Sequence, residues 1–220
     1  MPNARPVVAA FDLDGTLTEG GSVVKWLRHV AGNTLTYRSI LGHLPSLGYG
    51  ALMSGTAADT AKEALFRRTL QGRRFDDVAA ASADFAHHHV GKELRPHVRA
   101  RLAHHLEQGH RVVLVSASPE LYVGVIANFL GAHGFVGTRL AVDLMGRLTG
   151  GYLGNNCRGE EKLRRLNEWI DEHQVDGERP EIYAYGNSRG DRRMLVGADH
   201  AFDCGKLGKF GALRRFSRLD

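Results

Sequence analysis

Two carboxylates separated by one residue follow the first apolar run of the chain. Asp12 comes directly after Val7–Phe11, Asp14 lies two residues further on, and Gly15 and Thr16 follow. Glycine allows the chain to turn sharply, and the threonine adds a hydroxyl group. Burying two acidic groups is costly unless they are paired, hydrogen-bonded or bound to a metal. That cost is the first indication that this turn carries out chemistry.

Three predicted strands bring further polar groups towards this turn. Val7–Phe11, Arg111–Val115 and Ile182–Tyr185 are mainly apolar runs, typical of strands covered on both faces of a parallel sheet. Helical patterns separate them, which favours an α/β fold. Polar residues follow each run, at 12–16, 116–118 and 186–191. Because the carboxyl ends of parallel strands meet at one edge of a sheet, we expect these groups to form a single site.

The stretch from Ser22 to Val90 is predicted to be an all-helical insert. Apolar residues recur there at helical spacing, as in Val23, Leu27 and Val30, and no convincing strand is apparent within this stretch. An insert that begins just after a strand-end motif is expected to form a lid or cap over the site.

Length and composition are those of an ordinary globular protein. The 220 residues suffice for one α/β domain with a smaller inserted one, and 43% are hydrophobic and 24% charged. The run Val7–Phe11 is too short for a signal peptide, and no apolar run approaches the ~18 residues that cross a bilayer. Cys157 and Cys204 do not make a disulfide framework. We therefore expect a reduced, cytoplasmic protein.

The charge balance favours anionic partners. The formal net charge is +5 with histidines neutral, which suits a small phosphorylated substrate. The chain has no long basic run, and its aromatic content of 8% shows no stacking pattern, so a nucleic-acid partner is not indicated. The sequence makes no prediction of the oligomeric state.

Four motifs, in this order, resemble those of the haloacid-dehalogenase superfamily. They are Asp12–Thr18, Ser116, Lys162 and Gly186–Asp191. A helical insert between the first two resembles the phosphoserine-phosphatase-like branch, subfamily IB, and the resemblance covers the whole chain apart from detail in the insert. It implies a Rossmann-like, doubly wound parallel sheet formed by residues 1–18 and 92–220, with a helical cap at 19–91.

This resemblance implies a Mg²⁺-dependent phosphatase that hydrolyses a small phosphomonoester through an aspartyl-phosphate. Asp12 would attack phosphorus. Asp14 would protonate the leaving oxygen and then activate water. Dehalogenases of the superfamily lack the second acid, and the transport ATPases carry threonine there, so Asp14 favours a phosphatase.

The phosphate would be held by Ser116, the backbone N–H of Ala117 and Lys162. Ser118 and Pro119 are predicted to be the N-cap and first residue of the next helix, which leaves Ser116 for function. Lys162 is near a helix start, where a cation is poorly placed. It resembles the superfamily lysine that binds phosphate and holds the nucleophilic carboxylate ionised, and Arg158 is a weaker second candidate.

The metal ligands implied by the resemblance are the Asp12 carboxylate, the Asp14 backbone carbonyl and Asn187. Many relatives carry aspartate at the last position, so this site has one negative charge fewer, although an amide oxygen still binds hard cations. Asp191 would support the metal through water or orient Lys162. Gly15 and Thr16 would support the turn.

The substrate stays open. The phosphoserine enzymes carry a glutamate that reads the substrate amine, but the matching position here is Gly21, with Glu19 nearby. Basic side chains of the insert could reach a second anionic group; they are Arg67, Arg68, Arg73 and Arg74. The clustered histidines 87–89, 104–105 and 110 are interpreted as surface or core residues, because consecutive histidines on a helix point in different directions.

Two alternative functions remain from the sequence. The apolar stretch Ile40–Met53 is interpreted as cap core, but it could also contact lipid, as a lipid-phosphate phosphatase of phosphatidylglycerophosphate or lysophosphatidate type would require. Asn187 also allows a phosphate-binding protein that has lost turnover. The first alternative predicts a membrane contact, and the second predicts no phosphate release.

Overall fold

The computed structural model describes residues 5–42, 56–173, 179–205, 213 and 215–219. The strands are β1 (Val7–Phe11), β2 (Arg111–Pro119), β3 (Gly134–Thr138), β4 (Leu140–Val142), β5 (Leu148–Tyr152), β6 (Glu181–Gly186), β7 (His200–Asp203) and β8 (Ser217–Arg218). Six of them form a parallel sheet in the order β3-β2-β1-β6-β7-β8, and β4 and β5 form a separate antiparallel pair. The predicted α/β fold with a parallel sheet is confirmed.

Helices occupy the connections and the insert. They are α1 (Val23–Ala31), α2 (Asn33–Leu41), α3 (Thr56–Leu70), α4 (Phe75–Glu93), α5 (Pro96–Glu107), α6 (Glu120–Phe129), α7 (Glu160–Glu172) and α8 (Arg192–Val196), with a 3-10 turn at Arg189–Asp191. The described part of the insert, α1 to α4, is helical as predicted. None of the described helices is long and apolar enough to cross a membrane.

The first strand is covered on both faces, as its unbroken apolar run predicts. Ala9 and Phe11 belong to one apolar cluster, and Val8 and Ala10 belong to the cluster on the opposite face. Alternate side chains of a strand point to opposite faces, so a strand buried on both sides must be apolar throughout. The central position of β1 therefore follows from its composition.

The strand register places the carboxyl ends of three strands at one edge of the sheet. Phe11 of β1 is paired with Leu114 of β2 on one side and with Tyr185 of β6 on the other. The residues that follow these three positions therefore leave the sheet at the same level. The chain continues from β1 to one side of the sheet and from β6 to the other, and such a switch point between neighbouring strands of an α/β sheet opens a crevice for ligands.

The insert leaves and rejoins the sheet domain through two chain segments that lie side by side. The backbone N–H of Glu19 donates to the carbonyl of Glu93 at 2.8 Å, and that of Arg95 donates to Leu17 at 2.8 Å. Trp26 is fully buried beyond this junction and donates its ring N–H to Ser82 Oγ at 2.8 Å. Its ring also contacts Tyr122 of α6, so helix packing continues from the insert into the rest of the chain.

The β4–β5 hairpin packs against α3 of the insert. Gly150 has a φ of +81°, and a Cβ there would lie 2.4 Å from the Cα of Arg67. Only glycine permits this backbone approach. Leu140–Val142 and Leu148–Tyr152 form this hairpin by antiparallel pairing. The apolar stretch Ile40–Met53 lies mostly outside the described residues, which resume at 56.

Candidate active site

A buried lysine joins two carboxylates at the end of β1. The Nζ of Lys162 donates to Asp12 Oδ1 at 2.7 Å and also to Asp191 Oδ1. The hydroxyl of Thr16 donates to the other oxygen of Asp12 at 2.9 Å. Lys162, Asp12 and Asp191 are all at most 5% exposed. The structure thus brings together residues that are 150 positions apart in the sequence.

Burial and unequal pairing set the protonation of these groups. Burial, with the charge of Asp191, raises the pKa of Asp12 to about 7, although Lys162 acts in the opposite direction. Burial alone would lower the pKa of Lys162, but Asp12 and Asp191 together raise it above its usual range. Burial would likewise raise the pKa of Asp191, but Lys162 and Ser188 outweigh it and lower that pKa. One lysine therefore leaves Asp12 incompletely neutralised.

Asp191 is fixed by the loop that precedes it. Its Oδ2 accepts hydrogen bonds from the Ser188 hydroxyl at 2.7 Å, the Ser188 N–H at 2.9 Å and the Asn187 N–H at 3.2 Å. A Cβ on Gly186 would lie 2.6 Å from the Asp191 Cβ, so glycine is needed for this fold of the loop. The other oxygen of Asp191 remains for Lys162. Of the two roles considered for Asp191, this arrangement matches the orientation of the lysine.

Asn187 presents an oxygen that has no partner. Its Oδ1 is buried and accepts no hydrogen bond from the described residues. Gly15 packs against the same amide, since a Cβ at Gly15 would lie 2.1 Å from Asn187 Nδ2. A buried oxygen without a donor is costly, and a hard cation would satisfy it. Together with the under-neutralised Asp12, the donor set fits Mg²⁺.

The turn between Asp12 and Thr18 is held by Arg95, which the sequence did not single out. One nitrogen of its buried guanidinium donates to the carbonyls of Gly15 at 2.8 Å, Thr16 at 3.2 Å and Cys204 at 2.6 Å. Carbonyl oxygens at a tight turn lack strand partners and need such a donor when they are buried. Arg95 therefore stabilises the backbone that carries both aspartates.

Asp14 accepts one hydrogen bond on each oxygen. The backbone N–H of Ser22 donates to Oδ1 at 2.9 Å, and the Ser118 hydroxyl donates to Oδ2 at 2.6 Å. The Ser22 hydroxyl in turn lies 2.7 Å from the hydroxyl of Tyr122. The second carboxylate of the motif is thus connected to β2, to the start of α1 and to α6.

The predicted helix-capping role of Ser118 is wrong. Strand β2 continues to Pro119, α6 begins at Glu120, and the Ser118 side chain makes no capping bond. A hydrogen bond to the Asp14 carboxylate is stronger than one to a neutral backbone N–H. This explains why the Ser118 hydroxyl bonds to Asp14 and does not cap the helix. Ser116 is 1% exposed and its Oγ accepts the Ser118 N–H at 3.1 Å.

A lysine of the insert, which its sequence context did not single out, reaches the end of β2, where phosphate binding is predicted. Lys62 of α3 donates to the carbonyl of Ala117 at 2.6 Å and to Asn156 Oδ1 at 2.7 Å. Burial lowers its pKa to about 8, although Asp59 and Asp14 oppose the shift. Lys62 lies four residues before the buried Phe66, so a charge on the apolar face of α3 was the available signal.

The four arginines considered for a second anion have other surroundings. Arg67 pairs with Glu63, Arg74 with Asp76, and Arg73 donates to the carbonyls of Thr69 and Val30; Arg67, Arg68 and Arg74 are exposed. Arg158, the second candidate beside Lys162, lies 3.7 Å from Asp59. Asp59 also accepts a hydrogen bond from Asn156 at 2.6 Å, so Arg158 belongs to the Lys62 group of contacts.

Comparison with known proteins agrees with this architecture. Residues 9–196 match the family of haloacid dehalogenase-like hydrolases. The chain is 35% identical over 198 residues to Protein CicA of Caulobacter vibrioides, covering 89% of this chain and 84% of CicA. It is 24% identical over 189 residues to a histidinol-phosphatase of Neisseria meningitidis, covering 86% and 85% of the two chains.

Two solved structures share the fold. A Bordetella pertussis protein of unknown function superposes with a TM-score of 0.81 at 22% identity and covers 99% of both chains. A substrate-bound phosphoserine phosphatase superposes with a TM-score of 0.61 at 17% identity, covering 94% of this chain and 89% of that one. This chain belongs to the haloacid dehalogenase-like hydrolase family and shares its fold with phosphoserine phosphatase.

Proposed function

We propose that this protein is a Mg²⁺-dependent phosphatase that hydrolyses a small phosphomonoester through an aspartyl-phosphate on Asp12. The observation that carries the proposal is the environment of Asp12. It ends the central strand, with Lys162 on one carboxylate oxygen and Thr16 on the other. A carboxylate held in this way is oriented for attack before substrate binds, and phosphoryl transfer depends mainly on positioning and charge.

The reaction takes two steps. In the first, a carboxylate oxygen of Asp12 attacks phosphorus, the bond from phosphorus to the ester oxygen breaks, and Asp14 gives its proton to that oxygen. In the second, Asp14 takes a proton from water as the water oxygen attacks the same phosphorus. Inorganic phosphate leaves and Asp12 is regenerated.

Three groups bind the phosphate in this proposal. They are the ammonium of Lys162, the hydroxyl of Ser116 and the backbone N–H of Ala117. Mg²⁺ would be held by the Asp12 carboxylate, the Asp14 backbone carbonyl and the Asn187 side-chain oxygen, and it would neutralise charge on the transferring group. Asp191 keeps Lys162 in place through the contact described above.

The proposed catalytic core and the proposed cap occupy different parts of the chain. Residues 1–18 and 92–220 form the catalytic core in this proposal, and residues 19–91 form the cap. The boundary at 91 falls two residues before the end of α4, next to the paired segments at 19 and 93. Lys62 is a cap residue that contacts the proposed phosphate-binding segment, through the carbonyl of Ala117.

The substrate is proposed to carry a second anionic group. An ammonium has three N–H donors. Lys62 donates two of them, to the Ala117 carbonyl and to Asn156 Oδ1, which leaves one for a ligand. The position of the amine-reading glutamate is the exposed Gly21, and the next residue, Ser22, is committed to Tyr122. These surroundings support an acidic phosphate ester more than recognition of an amine.

Phosphate release against a panel of esters tests the proposal. The panel contains phosphoserine, histidinol phosphate, phosphoglycolate, sugar phosphates, nucleoside monophosphates and a short-chain lysophosphatidate, each with and without Mg²⁺. We expect release from a carboxylated ester with wild-type protein and none with Asp12→Asn. Equal release by Asp12→Asn would contradict the mechanism, and no release from any ester would favour the phosphate-binding alternative.

The lipid-phosphate alternative receives no support from the described residues. Its basis, Ile40–Met53, lies largely in the part of the chain between 42 and 56 that the structure does not describe. Lysophosphatidate in the panel is its direct test. The two buried, unpaired cysteines are compatible with the reduced, cytoplasmic location expected above, which stays a prediction.

A further inference from the structure

We propose that Ser118, supported by Ser22 and Tyr122, is a positioning residue for Asp14 and controls proton transfer to the leaving group. The inference rests on the proposed function, because it concerns the role of Asp14 as acid and base. None of the three side chains belongs to the motifs that define the family resemblance. Their contacts with Asp14 and with one another carry the argument.

Two donors from different elements fix the carboxylate of Asp14. Ser118, near the end of β2, donates its hydroxyl to Oδ2 at 2.6 Å, and the backbone of Ser22, just before α1, donates to Oδ1 at 2.9 Å. Donors on both oxygens define the plane of a carboxylate. A carboxylate can accept about four hydrogen bonds, so two remain for a leaving-group oxygen or a water.

The hydroxyls behind Asp14 are completely enclosed. Ser22, Ser118 and Tyr122 are each at most 1% exposed. The Ser22 Oγ lies 2.7 Å from the Tyr122 hydroxyl and 3.4 Å from the Ser118 Oγ. Bulk water therefore does not reach these groups, and the three hydroxyls find their hydrogen-bond partners in one another and in Asp14.

Aromatic packing holds the far end of this group. The ring of Tyr122 contacts Trp26 at 5.4 Å and Phe85 at 5.3 Å between ring centres. Trp26 belongs to α1 and Phe85 to α4, so the tyrosine is clamped between helices of the insert. The orientation of the Ser118 hydroxyl is thereby set by the packing of the insert on α6.

A merely structural role would have a different consequence from a positioning role. An alkyl phosphate releases a poor leaving group that needs a proton in the transition state, whereas nitrophenolate leaves without one. Loss of a group that aims Asp14 should therefore slow the alkyl ester selectively. Loss of a group that only stabilises the fold should slow both esters alike.

The test compares kcat/KM for β-glycerophosphate and for p-nitrophenyl phosphate, because kcat/KM reports the steps up to transfer of phosphorus to Asp12. We expect Ser118→Ala to lower the value about tenfold or more for the alkyl ester and less than about threefold for the aryl ester. Ser118→Thr, which keeps the hydroxyl, should restore most of the alkyl activity. Tyr122→Phe should act in the same direction as Ser118→Ala, with a smaller effect.

Thr69→Val is the matched control, since Thr69 is a buried hydroxyl of α3 that bonds only within its helix. Equal losses on both esters, or no loss, in Ser118→Ala would overturn the inference while leaving the phosphatase proposal intact. A wild-type protein that hydrolyses neither these two esters nor any ester of the panel, or an Asp12→Asn variant as active as wild type, would overturn the proposed function and this inference with it. If Ser118→Ala does not fold, Tyr122→Phe and Ser118→Thr decide the question by the same ratio.

Discussion

Gly15 and Asn187 lie so close together that a Cβ on Gly15 would be 2.1 Å from the Asn187 Nδ2. Gly15 also has a φ of +81°, in the left-handed region that other residues seldom adopt. The glycine that ends the two-carboxylate motif thus determines where the amide of Asn187 sits. This contact connects the first motif of the chain with its last.

Gly15→Ala should therefore displace Asn187 as well as strain the turn. We expect a loss of about 2–3 kcal/mol in the free energy of unfolding, together with loss of the Mg²⁺-dependent rise in melting temperature. The matched control is Gly20→Ala, whose φ is +65° but which has no atom within 4 Å of an added Cβ. Gly20→Ala should lower the free energy of unfolding only by the backbone strain, and its melting temperature should still rise with Mg²⁺. Loss of that rise in both variants would contradict a specific role for the contact between Gly15 and Asn187.

Asn187 itself should govern the affinity for Mg²⁺. Asn187→Asp adds a carboxylate close to the buried Asp191, which accepts the backbone N–H of residue 187, so the variant should melt at a lower temperature than wild type in EDTA. Mg²⁺ should stabilise this variant more than wild type. Each tenfold increase in Mg²⁺ affinity adds about 1.4 kcal/mol to the free energy of unfolding at saturating metal. Asn187→Leu removes the unpartnered oxygen and should respond weakly. Thermal melts against a Mg²⁺ titration measure this, and identical curves for the three proteins would refute it.

Lys162 is expected to be essential for stability as well as for activity. Lys162→Met leaves Asp12 and Asp191 buried together without their cation, which should cost about 3–5 kcal/mol at neutral pH. Lys25 is the control, because its ion pair with Glu93 is partly exposed. Lys25→Met should change stability by less than about 1 kcal/mol. Urea unfolding of both variants at pH 7 makes the comparison, and similar losses would argue against a buried charge cluster.

His105 should make the protein sensitive to acid. Its ring nitrogens lie 2.8 Å from His110 Nδ1 and 2.8 Å from the Tyr185 hydroxyl. Burial, with the charges of His110 and Arg101, lowers the pKa of His105 to about 4, below its ordinary value of 6.5. Between these values the unfolded chain binds the proton more readily, so stability from this group is present above pH 6.5 and is lost as the pH falls towards 4.

The His105 contribution is up to about 3 kcal/mol. His105→Gln should flatten the loss of stability between pH 6.5 and 4 in urea unfolding. His88→Gln is the control, because that side chain is 66% exposed. A steep loss that persists unchanged in His105→Gln would assign the acid sensitivity to other groups.

Lys62 should favour phosphate esters that carry a second anionic group over esters that carry none. Lys62→Met is expected to lower kcat/KM about tenfold or more for a carboxylated ester such as phosphoglycolate, since a charge-assisted hydrogen bond is lost. Its effect on p-nitrophenyl phosphate should be much smaller. Because the pKa of Lys62 lies at about 8, the wild-type preference for the acidic ester should decline above that pH. Arg68→Met, on an exposed side chain of the same helix, is the control, and a uniform loss on both esters would contradict this role.

The sequence alone determined the features that depend on local pattern. The unbroken apolar run Val7–Phe11 predicts a strand covered on both faces. The polar segments 12–16, 116–118 and 186–191 each follow a predicted parallel strand, so they were expected to meet at one edge of the sheet. The helical insert was also predictable, because periodicity acts over a few positions. Asp12, Asp14 and Lys162 were singled out by the resemblance of their motifs to those of the family.

Tertiary structure decided which partners the polar side chains choose. Ser118 looked like a helix cap, but Asp14, 104 positions away, offers its hydroxyl a stronger acceptor than any local N–H. Lys62 and Arg95 gave only weak signals, since their acceptors include carbonyls from distant parts of the chain. Local preference cannot reveal such contacts, because burial of a polar group is paid for only by the partner that the fold brings to it.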